Sequence, residues 1–473
     1  MLKINPKILD GEGLQKIHEA ALDILETLGV RINHKDVYRR VIEAGALPGP
    51  SETAAFFPKK LVMDCLAAAP KNFDISLRSG KKTNLRAGGG AFYLTGNALN
   101  RTETGNDVKP ISKEDFADFT RLTDNLENVS GMVGTYISGV PAKARDVVGF
   151  RIMLENTRKH MRPCLFSADG ARVIMEMADI ANEGRPYAES PFYSFGYSVV
   201  SPLQWSFEAC EIFQKTSGHK IPLTINSEPL AGGTSPVTLA GSLALGDAEV
   251  LSGIVINEII EPGRPVIYNI GFAHLLDMYS ALALTGAPEN CLLAAAGAEL
   301  AEFYGLPSAS WFGTDSLAVD SQSGIEKMIG ILTHGMGGAN FVWGVGNIEA
   351  TKCFSPVMAV LDNEMIGMAE RFERGIDVNA ETLALGVIKE VGFSGDYLSA
   401  EHTLENFKSE NRYDVLMTRA NRDRWNEAGK LTLEAKAEKT VRNILSKKYE
   451  PHIGGSQLEK IMKIEKKWIE TLS

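Results

Sequence analysis

The chain has 473 residues, 44% hydrophobic and 23% charged, enough apolar material for a large core or two domains. A formal net charge of -10 with no concentrated basic stripe disfavours a phosphate-backbone partner, so nucleic acid is not an expected ligand. No N-terminal stretch is laid out as a signal peptide, no apolar run approaches the roughly 20 residues that span a bilayer, and the five cysteines are scattered without a Cys-x-x-Cys pair; a reduced, cytoplasmic protein without a membrane partner is expected.

Residues 12–29 place Leu14, Ile17, Ala21, Ile24, Leu25 and Leu28 at helical spacing, with Asp10 as N-cap and Gly29 as stop. Helical patterns at 35–44 and 59–69 follow, so residues 1–85 are expected to form a helical N-terminal subdomain. The glycine cluster from Ala87 to Gly96 neither follows a strand nor opens a helix, as a dinucleotide fingerprint requires, and is read as close backbone approach to a ligand or strand.

Eight β-branched or apolar runs then recur every 30 to 40 residues or so: 91–95, 132–138, 164–168, 192–200, 222–226, 265–270, 308–312 and 340–345. Helical patterns lie between them at 142–159, 171–181, 204–217, 236–259, 290–304 and 323–336, and 356–371 closes the series. That count predicts an α/β fold, a (β/α)8 TIM barrel over 86–375, with a doubly wound open sheet as the alternative built from the same units. Residues 376–473, rich in Lys, Arg and Glu towards their end and lacking strand signals, read as a helical C-terminal extension.

In a barrel the working residues stand at the strand C-terminal ends. Read in order, these are Tyr93; Tyr136; Phe166; Phe195 and Tyr197; Asn226 and Glu228; Phe272 and His274; Trp311, Phe312 and Asp315; and Trp343, Asn347 and Glu349. No lysine stands among them, which argues against Schiff-base chemistry. Tyr93, Phe195, Tyr197, Trp311, Phe312 and Trp343 are candidate walls of a cage for an ammonium ion, whose charge is attracted to ring faces, although each ring could equally fill core. His274 and His334 are candidate substrate-binding groups, and also candidate acids or bases. Asp315, Glu349 and Asn347 are the candidate catalytic groups, because an acidic side chain among glycines and apolar strands is costly unless it orients something. The eight histidines show no metal-ligand spacing, and no bound metal is expected.

Five stretches, in order along nearly the whole chain, carry a resemblance: 17–30 (IHEAALDILETLGV), 231–241 (AGGTSPVTLAG), Thr314-Asp315-Ser316 with Asp320 and Gln322, Gly346-Asn347-Ile348-Glu349, and 401–404 (EHTL). They resemble the trimethylamine methyltransferase family, and specifically a branch without pyrrolysine that acts on quaternary amines such as glycine betaine. Pyrrolysine-containing members carry a motif that looks like His-Asp-Val-Gly-Tyr-Leu-Glu-Ser-Gly, where this chain has Trp343-Gly-Val-Gly-Asn-Ile-Glu-Ala-Thr351.

The resemblance implies a TIM barrel that moves a methyl group from an amine to the cob(I)alamin of a separate corrinoid protein. It makes cobalamin a methyl acceptor carried by that partner. On this expectation the substrate is glycine betaine or a similar quaternary amine rather than trimethylamine, and Trp343 faces its ammonium. A homo-oligomer is expected. The alternatives are a betaine-binding barrel without catalysis, and a barrel lyase or isomerase with an Asp, Glu or His base.

Overall fold

The computed structural model describes residues 7–96, 99–104, 107–271, 274–393 and 395–472. Eight parallel strands form its centre: β1 (Phe92–Thr95), β2 (Gly131–Val133), β3 (His160–Arg162), β4 (Phe195–Ser198), β5 (Leu223–Asn226), β6 (Val266–Gly271), β7 (Ser308–Trp311) and β8 (Phe341–Val345). Hydrogen-bonded neighbours run β4, β5, β6, β7, β8, β1, β2, β3. The ring closes where Met161 of β3 bridges Tyr193, just ahead of β4, through bonds from Met161 N–H to the Phe192 carbonyl (2.8 Å) and from Ser194 N–H to the Met161 carbonyl (3.1 Å). The expected (β/α)8 barrel is therefore the fold, and the open-sheet alternative is excluded.

Three helices precede the ring: α1 (Gly11–Thr27), α2 (Lys35–Glu43) and α3 (Lys59–Ala68). Asp10 caps α1 as expected, its carboxylate accepting from Gly13 N–H at 2.7 Å. The N-terminal part also carries an antiparallel hairpin, 72–76 with 82–86. Its Ile75 and Leu85 pack with Phe92, Leu94, Val133, Ile267, Ala309, Phe341 and Trp343, which plugs the bottom of the barrel.

Eight helices form the outer ring: α4 (Lys113–Asp124), α5 (Arg145–Asn156), α6 (Ala168–Ala181), α7 (Phe207–Lys215), α8 (Leu239–Ile260), α9 (Pro288–Phe303), α10 (Ser321–Met336) and α11 (Pro356–Glu373). Helix α4 has no counterpart among the expected helices; charged residues separate its apolar positions, and a Ser112–Asp115 capping box sets its start. Helix α8 is long and apolar enough to cross a bilayer, yet 83% of that window is buried. It is apolar all round because it is sandwiched between β5 and β6 on one side and α1, α2 and α3 on the other.

Strand β3 lies four residues earlier than the expected run at 164–168. Pro163 has no N–H with which to continue the ladder, so Cys164, Leu165 and Phe166 belong to the loop at the barrel mouth.

Five helices follow: α12 (Leu385–Val391), α13 (Glu401–Glu410), α14 (Arg422–Glu427), α15 (Leu433–Leu445) and α16 (Gly455–Thr471). Of these, α15 packs on α4 and α11, and α16 on α5 and α6, along the flank of the ring.

Candidate active site

Strand alternation sends every second side chain into the barrel. The floor of the interior is Phe92 stacked on Phe341 (5.3 Å between centroids), with His160 edge-on to both and hydrogen-bonded to Ser194 Oγ at 2.9 Å. Burial holds the His160 imidazole down at about 4, so it is neutral.

One layer higher, Trp343 of β8 and Trp311 of β7 are register partners on the inner wall. The Arg162 guanidinium of β3 lies over the Trp343 ring, 4.6 Å from its centroid. A Cβ at Gly196 of β4 would occupy the guanidinium's space, so glycine there is a matter of room. His274, from the loop after β6, packs edge-on against Trp311 at 4.9 Å.

At the rim the strand ends turn polar and link sideways. Gly271 N–H donates to Asn269 Oδ1 (2.8 Å), Asn269 Nδ2 to Asn226 Oδ1 (2.8 Å), Asn226 Nδ2 to Ser198 Oγ (3.4 Å), and the Ser198 hydroxyl to Glu228 Oε1 (2.7 Å). This ladder crosses β6, β5 and β4 and ends on a carboxylate. Glu228 is open to water, yet lies deep enough in the mouth that the surrounding protein raises its pKa, against the bond from Ser198 and the charge of Arg162. On the other side of the mouth, Tyr136 meets Phe166 edge-on at 4.9 Å, with Arg145 over the Phe166 ring at 6.0 Å.

The last barrel strand leaves its ladder through two glycines. Gly344 (φ 137°) and Gly346 (φ 81°) take conformations in which a side chain would collide with the Phe312 carbonyl and the Phe354 ring respectively. Behind them a wholly buried ion pair locks the kink. Lys327 Nζ donates to the Gly344 carbonyl (2.6 Å) and to Asp362 Oδ2 (3.0 Å), which also accepts from Gly346 N–H (2.7 Å).

The chain then enters three consecutive left-handed residues, Glu349, Ala350 and Thr351, with φ of 53°, 49° and 70°. None is glycine, so the turn is strained by about 1–3 kcal/mol per residue. Bonds from Glu349 N–H to the Ser316 carbonyl and from Ala350 N–H to the Thr314 carbonyl, both 2.9 Å, hold it. Glu349 Oε2 accepts from Arg101 at 3.4 Å.

Asp315 accepts from Thr285 N–H (2.7 Å), the Thr285 hydroxyl (2.8 Å) and Gly286 N–H (3.1 Å), fastening the loop that follows β6. Asp315, Glu349, Arg101 and Lys352 share a cavity of about 330 Å³ beside the mouth. Asn347 is buried, with Nδ2 donating to the Phe312 carbonyl at 3.3 Å.

Of the expected cage, the structure brings Trp311 and Trp343 to the inner wall, with the substrate-binding candidate His274 against Trp311. Tyr93, Phe195, Tyr197 and Phe312 sit one residue out of phase and face the helices. Tyr93 meets Phe312 at 6.3 Å, Phe195 meets Tyr193 at 5.5 Å, Tyr197 meets Phe213 of α7 at 6.1 Å, and Lys327 lies over the Phe312 ring at 4.7 Å. His334 is tied to Ser310 Oγ (2.7 Å) and the Gly330 carbonyl (2.6 Å) behind β7, and burial holds it at about 4. Phe272 lies outside the described residues.

Arg162, Ser198 and Asn269 are the wall residues that strand-end reading passed over. A strand placed at 164–168 hides Arg162, whereas inward alternation from His160 would have found it. Among the described residues, no group of three His, Cys, Asp or Glu is placed to hold a metal ion.

Comparison with known proteins bears on this barrel directly. A family model described as trimethylamine methyltransferase matches residues 3–468. A trimethylamine methyltransferase of Methanosarcina barkeri (strain Fusaro) is 31% identical over 451 residues, covering 91% of this chain and 89% of its own. A glycine betaine methyltransferase of Desulfitobacterium hafniense (strain Y51) is 30% identical, covering 88% of each chain. The crystal structure of the Methanosarcina barkeri monomethylamine methyltransferase shares the fold, with a TM-score of 0.55 at 13% identity, covering 100% of this chain and 89% of that one.

These findings correct the placement in a quaternary-amine branch lacking pyrrolysine. Similarity runs along the whole chain to several trimethylamine methyltransferases of Methanosarcina, and the betaine enzyme stands no nearer. Two altered residues in one motif, Trp343-Gly344, were too narrow a basis for the branch. The family does hold: the chain belongs to the trimethylamine methyltransferase family and is a methyltransferase.

Proposed function

We propose that this enzyme transfers a methyl group from a methylated amine to the cob(I)alamin of a separate corrinoid protein. The names of its relatives favour trimethylamine as the donor. The observation that carries the reading is the accessible Glu228 carboxylate at the end of the polar ladder, near enough to Tyr136 for its charge to be felt.

Trimethylamine is an ammonium ion at neutral pH. Glu228 accepts its N–H and keeps the proton on nitrogen, while the rings favour the cationic methyl groups over water. The cobalt nucleophile then attacks the outward methyl group, the C–N electron pair stays on nitrogen, and neutral dimethylamine leaves. Orientation and exclusion of water are the protein's contribution. Exposed Val237, Met278, Tyr279, Leu282 and Leu317, on the loops after β5, β6 and β7, are suited to a corrinoid domain covering the mouth. The five cysteines are all free, which suits a cytoplasmic enzyme.

The test offers mono-, di- and trimethylamine and a quaternary amine with cob(I)alamin, following loss of Co(I) absorbance. Trimethylamine turnover is expected, and Glu228→Gln should lower kcat/KM by about 10²-fold or more. If no methylated amine reacts, or if Glu228→Gln is as active as the parent, the reading fails.

A further inference from the structure

Arg162 is only 3% exposed, and among the described residues no carboxylate is bonded to its guanidinium. Its Nε is sealed from water without an acceptor, and among the described residues its side chain makes no hydrogen bond or ion pair. Other deeply buried cations are satisfied. Arg264 donates to the Ile221 carbonyl and to Thr216 Oγ1, Lys159 to the Thr123 and Leu126 carbonyls, and Lys327 to Gly344 and Asp362.

Among the described residues the guanidinium packs on the Trp343 face beneath it, which leaves its terminal nitrogens to meet something else. Glu228 is close enough for its charge to be felt, but it is bonded to Ser198 instead. A guanidinium so placed is strange furniture for a cation site, because it would repel an arriving ammonium ion. An anion at Arg162 removes the conflict: the guanidinium fork matches two carboxylate oxygens, and Glu228 is left to meet the ammonium.

We infer that Arg162 holds an anionic group of carboxylate size at the barrel mouth, carried on the methylated amine itself or supplied by a free small anion bound alongside it. The inference rests on the mouth being the methylated-amine site.

Its test needs neither corrinoid nor turnover. Binding of acetate, of N,N-dimethylglycine, and of trimethylamine with and without acetate is measured by calorimetry on the parent, Arg162→Gln and Arg162→Lys. Saturable binding of an anionic probe to the parent is expected. It should weaken roughly thirtyfold or more in Arg162→Gln and less in Arg162→Lys. Acetate that tightens trimethylamine binding identifies a free anion; tight dimethylglycine without that effect places the anion on the amine.

Absence of saturable binding by either anionic probe to the parent overturns the inference, as does binding that both substitutions leave unchanged. If Arg162→Gln does not fold, the Lys variant and acetate–dimethylglycine competition on the parent decide between these outcomes. Anion binding without any methyl transfer would sink the proposed function and leave this inference standing.

Discussion

At the scale of single residues, two aromatic rings expected to face a substrate cation instead face cations of the protein: Trp343 meets Arg162, and Phe312 meets Lys327. Residue type was a sound guide to the interaction but not to its partner, because a ring attracts whichever cation the fold brings first. Lys327 and Asp362 also hold the Gly344–Gly346 kink, with no exposure of either side chain. Lys327→Met should therefore cost about 3–5 kcal/mol in denaturant unfolding, since it strands a buried carboxylate. The double substitution Lys327→Met with Asp362→Leu should recover most of that. A single substitution costing under about 1 kcal/mol would show that the pair does not secure the kink.

At the scale of elements, a buried polar chain joins the N-terminal layer to the barrel. Asp247 of α8 accepts from the hydroxyls of Tyr268 on β6 (2.7 Å) and Tyr304 just after α9 (2.6 Å), and Tyr304 meets His18 Nδ1 of α1 at 2.9 Å. Burial pushes the Asp247 carboxyl up to about 7, despite the two tyrosine donors. An unfolded Asp titrates near 4. Between about pH 4 and 7 the folded chain thus keeps a proton that the unfolded chain has lost, and this group's contribution to stability falls as pH rises through that window.

Asp247→Asn has no such proton to lose. Relative to the parent it should gain on the order of 2 kcal/mol between pH 5 and pH 8, measured as unfolding free energy at both. His160 and His334, both held at about 4 by burial, work in the opposite direction but cancel in the comparison. A pH-independent difference would show that Asp247 is ionised throughout.

At the scale of the whole molecule, residues 376–404 stand apart. None of those described is buried, and Ile376, Val378, Leu383, Leu385, Ile388, Phe393, Leu398 and Leu404 are exposed. Helices as short as α12 and α13 are marginal alone in water, so this arm needs something to fold against. At about 100 Å² each, eight such side chains make one side of a standard interface of about 800 Å². We expect a homodimer formed through this arm, seen by light scattering at micromolar concentration. Substituting Phe393, Leu398 and Leu404 with Ser should yield a folded monomer. A monomeric parent chain would end the idea.

Much of the architecture was legible in the residues alone, because periodicity is local physics. Eight apolar runs with helical patterns between them require a parallel α/β fold, and Asp10 had to cap the helix that follows it. Five ordered motifs were enough for the family. The branch was not, since one motif samples only a few contacts of the site.

Tertiary structure decided which face each ring shows. A shift of one residue separates Trp311 from Phe312 and Phe92 from Tyr93, and strand alternation turns that shift into inside or outside. It also decided that Arg162 lies in the wall, because Pro163 ends a strand which composition alone would begin at Cys164. No run of residues announces that a buried guanidinium has no hydrogen-bond acceptor among the described residues. That fact exists only once every neighbour within reach is in place.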